Sequence, residues 1–309
     1  MSDIVISEFM DQGAVDSLAR DFDVVYDQKL VDRHVDLLAA VASARALIVR
    51  NRTQVRGDLL QAASRLRVVG RLGVGLDNID LEACKRNDVI VHPATGANDA
   101  AVAEYVIATA MILMRDAYAA SVDVIAGGWP RQRCMGREIG GKVLGLIGFG
   151  GIARGTAQRA RALGMSVVAH DPFVAETDRA WRGVERSALD KLLAKADVVS
   201  VHLPLTEATR ELLDARMIAG MKQGAVLINT SRGGIVDEDA VVESLQSGHL
   251  AGAAMDVFAT EPLTAAVGSR FAGISNLVLT PHIAGVTAES NVRVSAVTAD
   301  NVRKVLSEL

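Results

Sequence analysis

Cysteine is nearly absent. Cys84 and Cys134 are the only two in 309 residues, far apart and without metal-type spacing. That argues against a disulfide framework, a structural zinc or a cysteine-ligated catalytic zinc, so no metal is expected, and it suits a reducing, cytoplasmic compartment. A surplus of one charge is missing too. The formal net charge is −4, with 33 Lys and Arg against 37 Asp and Glu scattered along the chain. There is no basic block to hold a nucleic acid and no acidic tail to stay disordered. No uninterrupted apolar run reaches the roughly 18 residues of a membrane span. The longest apolar pattern, after Asp99, contains Glu104 and ends at Arg115. The N-terminus passes straight into a strand-like run, Ile4-Val-Ile6, without the basic region and cleavage site of a secretory leader. Low-complexity linkers and short repeats are also lacking.

What the chain does have is apolar residue: 50% of it is hydrophobic and 23% charged. That is core enough for about two domains of about 150 residues. Short apolar runs alternate with helical patterns throughout, the signature of parallel α/β architecture. In the first part, strands are predicted at 4–6, 24–26, 46–49, 67–69 and 89–91, with helical patterns such as 31–42 and 57–63 between them. A long helix is predicted from Asp99 to about Ala126, capped by Asn98. A polar, arginine-rich segment around Trp129 follows. A second series of strands is predicted at 143–147, 166–169, 198–201, 225–229, 251–256 and 277–279, before a last helix at about 288–306. The expected division is a first domain of 1–98 completed by 286–309, and a second of 99–285. Such a split domain implies two crossovers and a cleft able to take a ligand.

One stretch carries the most information: Lys142-Val-Leu-Gly-Leu-Ile-Gly148-Phe-Gly150-Gly151-Ile152-Ala153. An apolar strand stops at a glycine turn and enters a helical pattern. A second apolar run then ends at His170-Asp171. This is the layout of a dinucleotide site. Gly148 permits the tight turn, Gly150 lets backbone approach a pyrophosphate, and the helix N-terminus offers free N–H groups and a partial positive charge. Asp171 lies about 20 residues on, where a carboxylate bonds the ribose hydroxyls and repels a 2′-phosphate. NAD is therefore the expected cofactor. The plainer alternative is a glycine turn between a buried strand and helix.

Three later segments put polar residues just after predicted strands, the edge at which open α/β sheets bind ligands. They are Asn229-Thr-Ser-Arg232, Asp256-Val-Phe-Ala-Thr-Glu261 and Pro281-His282-Ile-Ala-Gly285. An arginine can clamp the carboxylate and keto oxygen of a 2-keto acid. A histidine titrates near neutral pH and can serve as acid or base, and a carboxylate beside it fixes the ring. Each residue alone has an ordinary reading: a surface arginine, a turn, a loop histidine. His34, His92, His170, His202 and His249 compete with His282, and His202 in Val201-His-Leu-Pro-Leu-Thr206 is the strongest rival. Spacing does not choose among them.

A resemblance does. Val69-Gly-Arg71-Leu-Gly73-Val-Gly75-Leu-Asp-Asn78, Val102-Ala-Glu104, Gly148-Phe-Gly150-Gly151-Ile152, His202-Leu-Pro-Leu-Thr206, Arg232-Gly-Gly-Ile-Val-Asp-Glu238, Asp256-Val-Phe, Glu261-Pro and Pro281-His282-Ile-Ala-Gly285 occur in that order. Over nearly the whole chain they resemble the D-isomer-specific 2-hydroxyacid dehydrogenase family, in its 3-phosphoglycerate dehydrogenase-like branch. The resemblance implies a Rossmann NAD-binding domain plus a flavodoxin-like substrate domain, both with parallel sheets. It implies that Arg232 binds substrate, Glu261 supports the histidine and His282 carries the proton. It places Gly148, Gly150, Gly151, Ile152, Asp171, Leu203, Thr230, Ser231, Asp256 and Gly285 against NAD. It places Val74, Gly75 and Asn78 at the substrate carboxylate, with Arg50 and Arg71 toward a distal anion. It also implies a homodimer built on the long helix and the Trp129 region, from which Arg131 and Arg133 could reach a neighbouring site. Two departures stand out. Gly151 replaces the usual basic or polar residue of the fingerprint, and Ala153 replaces its third glycine. The chain also stops after its closing helix, so a regulatory domain is not expected.

The substrate clue is arginine density. Arg50, Arg52 and Arg71 all follow strands of the first domain. Buried uncompensated positive charge is costly, so a dianionic 2-hydroxy or 2-keto acid is expected. (S)-3-sulfolactate and 3-phosphoglycerate both fit. The S label of sulfolactate corresponds to the D-like arrangement, because the sulfonate carbon outranks the carboxylate in naming. The runs Ile6-Ser-Glu-Phe-Met-Asp11, Val49-Arg-Asn-Arg-Thr-Gln54 and Pro93-Ala-Thr-Gly-Ala-Asn98 resemble the bacterial sulfolactate-oxidising members of the family. Hydroxypyruvate or glyoxylate reduction is a further enzymatic reading. Formate and phosphite chemistry would need a small pocket without so many arginines. The reading from a different class is an NAD-sensing protein like the transcriptional corepressors built on this fold.

Overall fold

Three- and four-residue strands make the first sheet, and its runs 4–6, 46–49 and 68–70 are buried throughout. The computed structural model describes residues 2–115 and 117–308. The chain divides into two compact units, Met1–Asn98 with Val286–Leu309, and Asp99–Gly285.

In the first unit the strands are β1 (Ile4–Ile6), β2 (Val24–Tyr26), β3 (Ala46–Val49), β4 (Val68–Arg71) and β5 (Ile90–Pro93). They pair in parallel in the order β2-β1-β3-β4-β5, the flavodoxin-like arrangement. Alternation sorts the side chains between two cores. Ile4, Ile6 and Ile48 face the helices Gln12–Leu18 and Ala288–Ser307, through Val15, Leu18, Val294 and Val302. Val5, Leu47 and Val49 face Leu37, Val41, Leu59 and Cys84 on the opposite side. Gly70 is needed in β4 because a Cβ there would press on Val302 Cγ2 at 2.7 Å and Thr298 Cγ2 at 2.8 Å. The closing helix starts in a capping box between Thr287 and Ser290.

In the second unit the strands are β6 (Val143–Ile147), β7 (Ser166–His170), β8 (Glu185–Arg186), β9 (Val198–Val201), β10 (Ala225–Asn229), β11 (Leu250–Met255) and β12 (Leu277–Leu279). Their order is β12-β11-β10-β9-β6-β7-β8, all parallel. The direction of winding reverses between β6 and β9, and the strand ends at such a switch point are where open α/β sheets take ligands. The helices Asp99–Arg115 and Gly151–Ala162 cover one face with Val106, Ala110, Ala153 and Ala157 against Leu144 and Leu146.

Three expectations change. The long helix does not run to Ala126. It ends at Arg115, and after Ala117 a 3₁₀ turn (Tyr118–Ala120) and a short helix (Ser121–Ile125) follow; Asp116, within the predicted span, lies outside the described residues. The returning chain lies against the helix end: the Arg137 N–H donates to Met114 O at 2.7 Å, and a Cβ on Gly136 would collide with the Arg115 backbone. Asn98 does not cap that helix through its side chain, because its Oδ1 has no hydrogen-bond partner. β8 is an added strand of two exposed charged residues with no apolar signal to announce it. Among the described residues, no helix is long and apolar enough to cross a membrane, and no group of three or more His, Cys, Asp or Glu is placed to hold a metal ion.

Candidate active site

The glycine turn after β6 is shaped by what a side chain would strike. Gly148 has φ 87° and donates its N–H to His170 O at 2.8 Å, and a Cβ there would collide with the His202 carbonyl at the end of β9. Leu203 Cδ2 lies 3.0 Å from the same point. Gly150, in contrast, faces open space. The helix Gly151–Ala162 begins at Gly150 without a side-chain cap, so its first N–H groups are left for a ligand. Ile152 packs down onto the core beneath. Asp171 follows β7 and is held at the rim of the turn: Oδ2 accepts the Phe149 N–H at 2.8 Å and Oδ1 the Phe173 N–H at 2.9 Å. Buried Phe149 stacks on Trp181 with ring centroids 4.8 Å apart, and Arg154 Nε donates to Phe149 O at 2.9 Å.

Past β10, Ser231 Oγ donates to Asn229 Oδ1 at 2.7 Å, whereas Thr230 Oγ1 is buried without a hydrogen-bond partner. An orphaned hydroxyl is costly unless a ligand completes it. A glycine-flanked turn, an open helix N-terminus, a fixed carboxylate and this hydroxyl together fit a dinucleotide.

The other polar residues of this unit meet at the carboxyl ends of β10, β11 and β12. His282 takes a left-handed backbone conformation, φ 54°, and its N–H donates to Asp256 O at 2.8 Å. Its Nδ1 lies 2.8 Å from Glu261 Oε2, while Glu261 Oε1 accepts the Phe258 N–H at 2.9 Å. Burial pushes the Glu261 carboxyl up, but the His282 hydrogen bond, the Phe258 N–H and the charges of His282 and Arg232 outweigh it and hold it below its ordinary value. Arg232, Glu261 and His282 thus belong to one electrostatic cluster. Arg232 also donates from Nη1 to Ser231 O at 2.6 Å. Gly233 is obligatory, because a Cβ there would collide with the Phe258 carbonyl. The loop bearing Arg232 therefore packs backbone to backbone on the loop bearing Glu261.

Asp256 is 1% exposed and holds the third loop. Its Oδ1 accepts from Thr280 Oγ1 at 2.6 Å and from the Ile283 N–H at 2.8 Å, and its Oδ2 accepts the Ala284 N–H at 2.9 Å. Tyr105 Oη sits 2.6 Å from Thr280 Oγ1, and Glu238 Oε1 accepts the Ala259 N–H at 2.6 Å. Sequence reasoning missed Tyr105 and Thr280; the hydroxyl just before Pro281-His282 was the one local signal. Gly285 ends the loop and the unit.

Four of the five rival histidines have partners elsewhere, and His92 lies within β5. His202 Nε2 lies 3.0 Å from Ser200 Oγ, and desolvation pushes this histidine down from 6.5 to about 4. His34 pairs with Asp58 at 2.6 Å, His170 Nδ1 lies 2.9 Å from Ser187 O, and His249 meets Gln223 and Ile218 O.

In the first unit, Arg50 and Arg71 stand at the carboxyl ends of β3 and β4. Glu8, 4% exposed after β1, organises this edge. Its Oε1 accepts the Arg50 and Thr53 N–H groups at 2.9 and 3.0 Å, and its Oε2 accepts the Arg52 N–H at 3.2 Å. Asn78 spends its Nδ2 on Arg50 O (3.0 Å) and Thr53 O (2.6 Å), so it holds the same loop. The Arg50 guanidinium lies over the Phe9 ring at 5.7 Å and donates to Asn291 Oδ1 at 3.1 Å. It makes no ion pair among the described residues, and burial lowers its pKa despite nearby Glu8. Arg52, by contrast, pairs with Asp32. Arg71 Nη1 donates to Leu72 O at 2.6 Å and lies against Gly73, with Val74 exposed and Gly75 half-buried beyond.

Comparison with known proteins identifies the family. Residues 107–284 match the model for the D-isomer specific 2-hydroxyacid dehydrogenase, NAD binding domain. The chain is 57% identical over 307 residues to the (S)-sulfolactate dehydrogenase of Chromohalobacter salexigens, covering 99% of each. It is 41% identical over 271 residues to the D-3-phosphoglycerate dehydrogenase of Mycobacterium tuberculosis, covering 88% of this chain but 51% of that one. A crystal structure of a Thermus thermophilus protein superposes with TM-score 0.89 at 32% identity, covering 99% of this chain and 97% of that one. The chain belongs to the D-isomer-specific 2-hydroxyacid dehydrogenase family, and it is an NAD-dependent oxidoreductase that acts on a hydroxy acid.

Proposed function

We propose that the protein interconverts a dianionic 2-hydroxy acid, (S)-3-sulfolactate, and its 2-keto acid. The observation that carries this reading is the end-to-end likeness to (S)-sulfolactate dehydrogenase, which covers both units. The Arg50 guanidinium supports it: it makes no ion pair among the described residues, and a second strong anion would compensate this half-buried cation.

A nicotinamide dinucleotide held by the glycine turn, Asp171 and Thr230 would supply hydride chemistry at the carbon bearing the hydroxyl. The chain's own groups do the rest. Arg232 binds the substrate carboxylate as a two-pronged donor. His282 takes the hydroxyl proton on Nε2 during oxidation and returns it during reduction. Glu261, kept ionised, holds Nδ1–H and so fixes which nitrogen faces the substrate. Asp256, through Thr280 and the 283–284 amides, keeps His282 in its left-handed conformation. Asp171 accepts from the ribose hydroxyls and repels a 2′-phosphate, favouring NAD over NADP.

Arg50 and Arg71 bind the sulfonate, with Val74, Gly75 and the Asn78-supported loop shaping the substrate end. Tyr118, Val122, Ile125, Trp129 and Met135 leave an exposed apolar surface after the helix Asp99–Arg115, and we assign it to a homodimer interface. The free Cys84 and Cys134 suit a cytoplasmic home.

Initial rates with (S)-3-sulfolactate, D-3-phosphoglycerate and D-lactate, each with NAD and with NADP, test the reading. Sulfolactate with NAD should give the highest kcat/KM. A preference for phosphoglycerate would move the assignment to that acid, and no turnover of any 2-hydroxy acid would refute it.

A further inference from the structure

The N-terminus of the helix Gly151–Ala162 has an unusual neighbour. A Cβ on Gly151 would collide with Asp99 Oδ2, so the carboxylate of Asp99 occupies the space that a side chain at position 151 would fill. Asp99 opens the helix Asp99–Arg115, which packs along Gly151–Ala162. Among the described residues its carboxylate forms no hydrogen bond and no ion pair. The basic side chains of the neighbouring helix are directed elsewhere: Arg154 Nε donates to Phe149 O, its Nη2 lies 4.0 Å from Asp178, and Arg159 pairs with Glu104 at 3.0 Å. Burial raises the Asp99 carboxyl above its ordinary value, the mark of a charge held without compensation.

A phosphate and a carboxylate compete for the same positive helix end. We infer that Asp99 is a positioning residue that sets cofactor affinity: its carboxylate, accommodated by the bare Cα of Gly151, repels the pyrophosphate seated on the helix N-terminus and so weakens dinucleotide binding. The inference rests on the cofactor placement proposed above. Two charges a few ångströms apart at a protein surface change binding by at least about threefold. The effect belongs to the pyrophosphate, and adenosine, which has none, escapes it.

Calorimetric titration of the full-length wild type and Asp99→Asn with NADH, ADP-ribose and adenosine tests this. Asp99→Asn should bind NADH and ADP-ribose at least about threefold more tightly and adenosine as the wild type does. Asp99→Ala should behave alike. Gly151→Ala should weaken NADH binding, and the double variant Asp99→Ala/Gly151→Ala should recover it. Unchanged affinity for ADP-ribose, or an equal gain for adenosine, overturns the role of Asp99. Failure of the wild type to bind NADH at all would instead sink the cofactor placement.

Discussion

The two units carry the same kind of sheet and use its carboxyl edge differently. In the second unit the edge carries the pair to which we assign proton transfer: His282 is clamped by Glu261, which is held by the Phe258 amide, and the loop beneath hangs from Asp256. In the first unit the edge holds cations, and its histidine–carboxylate pair, His34 with Asp58, stands exposed. Glu8 is spent on three backbone N–H groups, and Arg50 is left with an amide oxygen and an aromatic ring. The lesson is that a parallel α/β sheet supplies the edge, and the partners of a few side chains decide what chemistry that edge can offer.

The sharpest way to break this contrast is His282→Ala. Turnover should fall by at least about 10²-fold, with NADH affinity unchanged in a fluorescence titration; near-normal turnover would move the chemistry away from β12. Arg50→Gln should act in the opposite sense. Its KM for sulfolactate should rise about tenfold, the worth of one charge-assisted hydrogen bond, while kinetics with D-lactate stay as they are; an equal rise for both acids would deny the first unit its charge-reading part. The smallest effect sharpens the contrast within the second unit. His202 is kept neutral down to about 4, whereas the unfolded chain protonates it near 6.5. Its contribution is complete above 6.5 and is lost as pH falls toward 4, because only the unfolded state gains the proton. Thermal melts of the wild type and His202→Gln across that range should converge at the acid end; parallel curves would refute it.

Much of the fold was legible because a buried parallel strand is a short apolar run. Runs 4–6, 24–26, 143–147 and 225–229 appear as β1, β2, β6 and β10. Glu185–Arg186 was not legible, since an exposed two-residue edge strand pairs through backbone alone. The break after Arg115 was hidden for a related reason: the apolar pattern persists, and a distant segment, 136–137, lies against the helix end. The glycine turn was legible through its spacing. What keeps Gly148 bare is the His202 carbonyl, a contact from another strand. The hydrogen bond from Tyr105 to Thr280 joins residues 175 apart, and no local pattern could announce it.

Gly233 has a consequence for anyone reshaping this enzyme. With no room for even a methyl group between its Cα and the Phe258 carbonyl, the two loops behave as one casting. A change of length or tilt in either would be transmitted whole to Arg232 and Glu261 together. On the substrate assignment proposed above, new acids are therefore better sought by remodelling the 50–53 and 71–78 loops and leaving the Arg232 and Glu261 loops untouched.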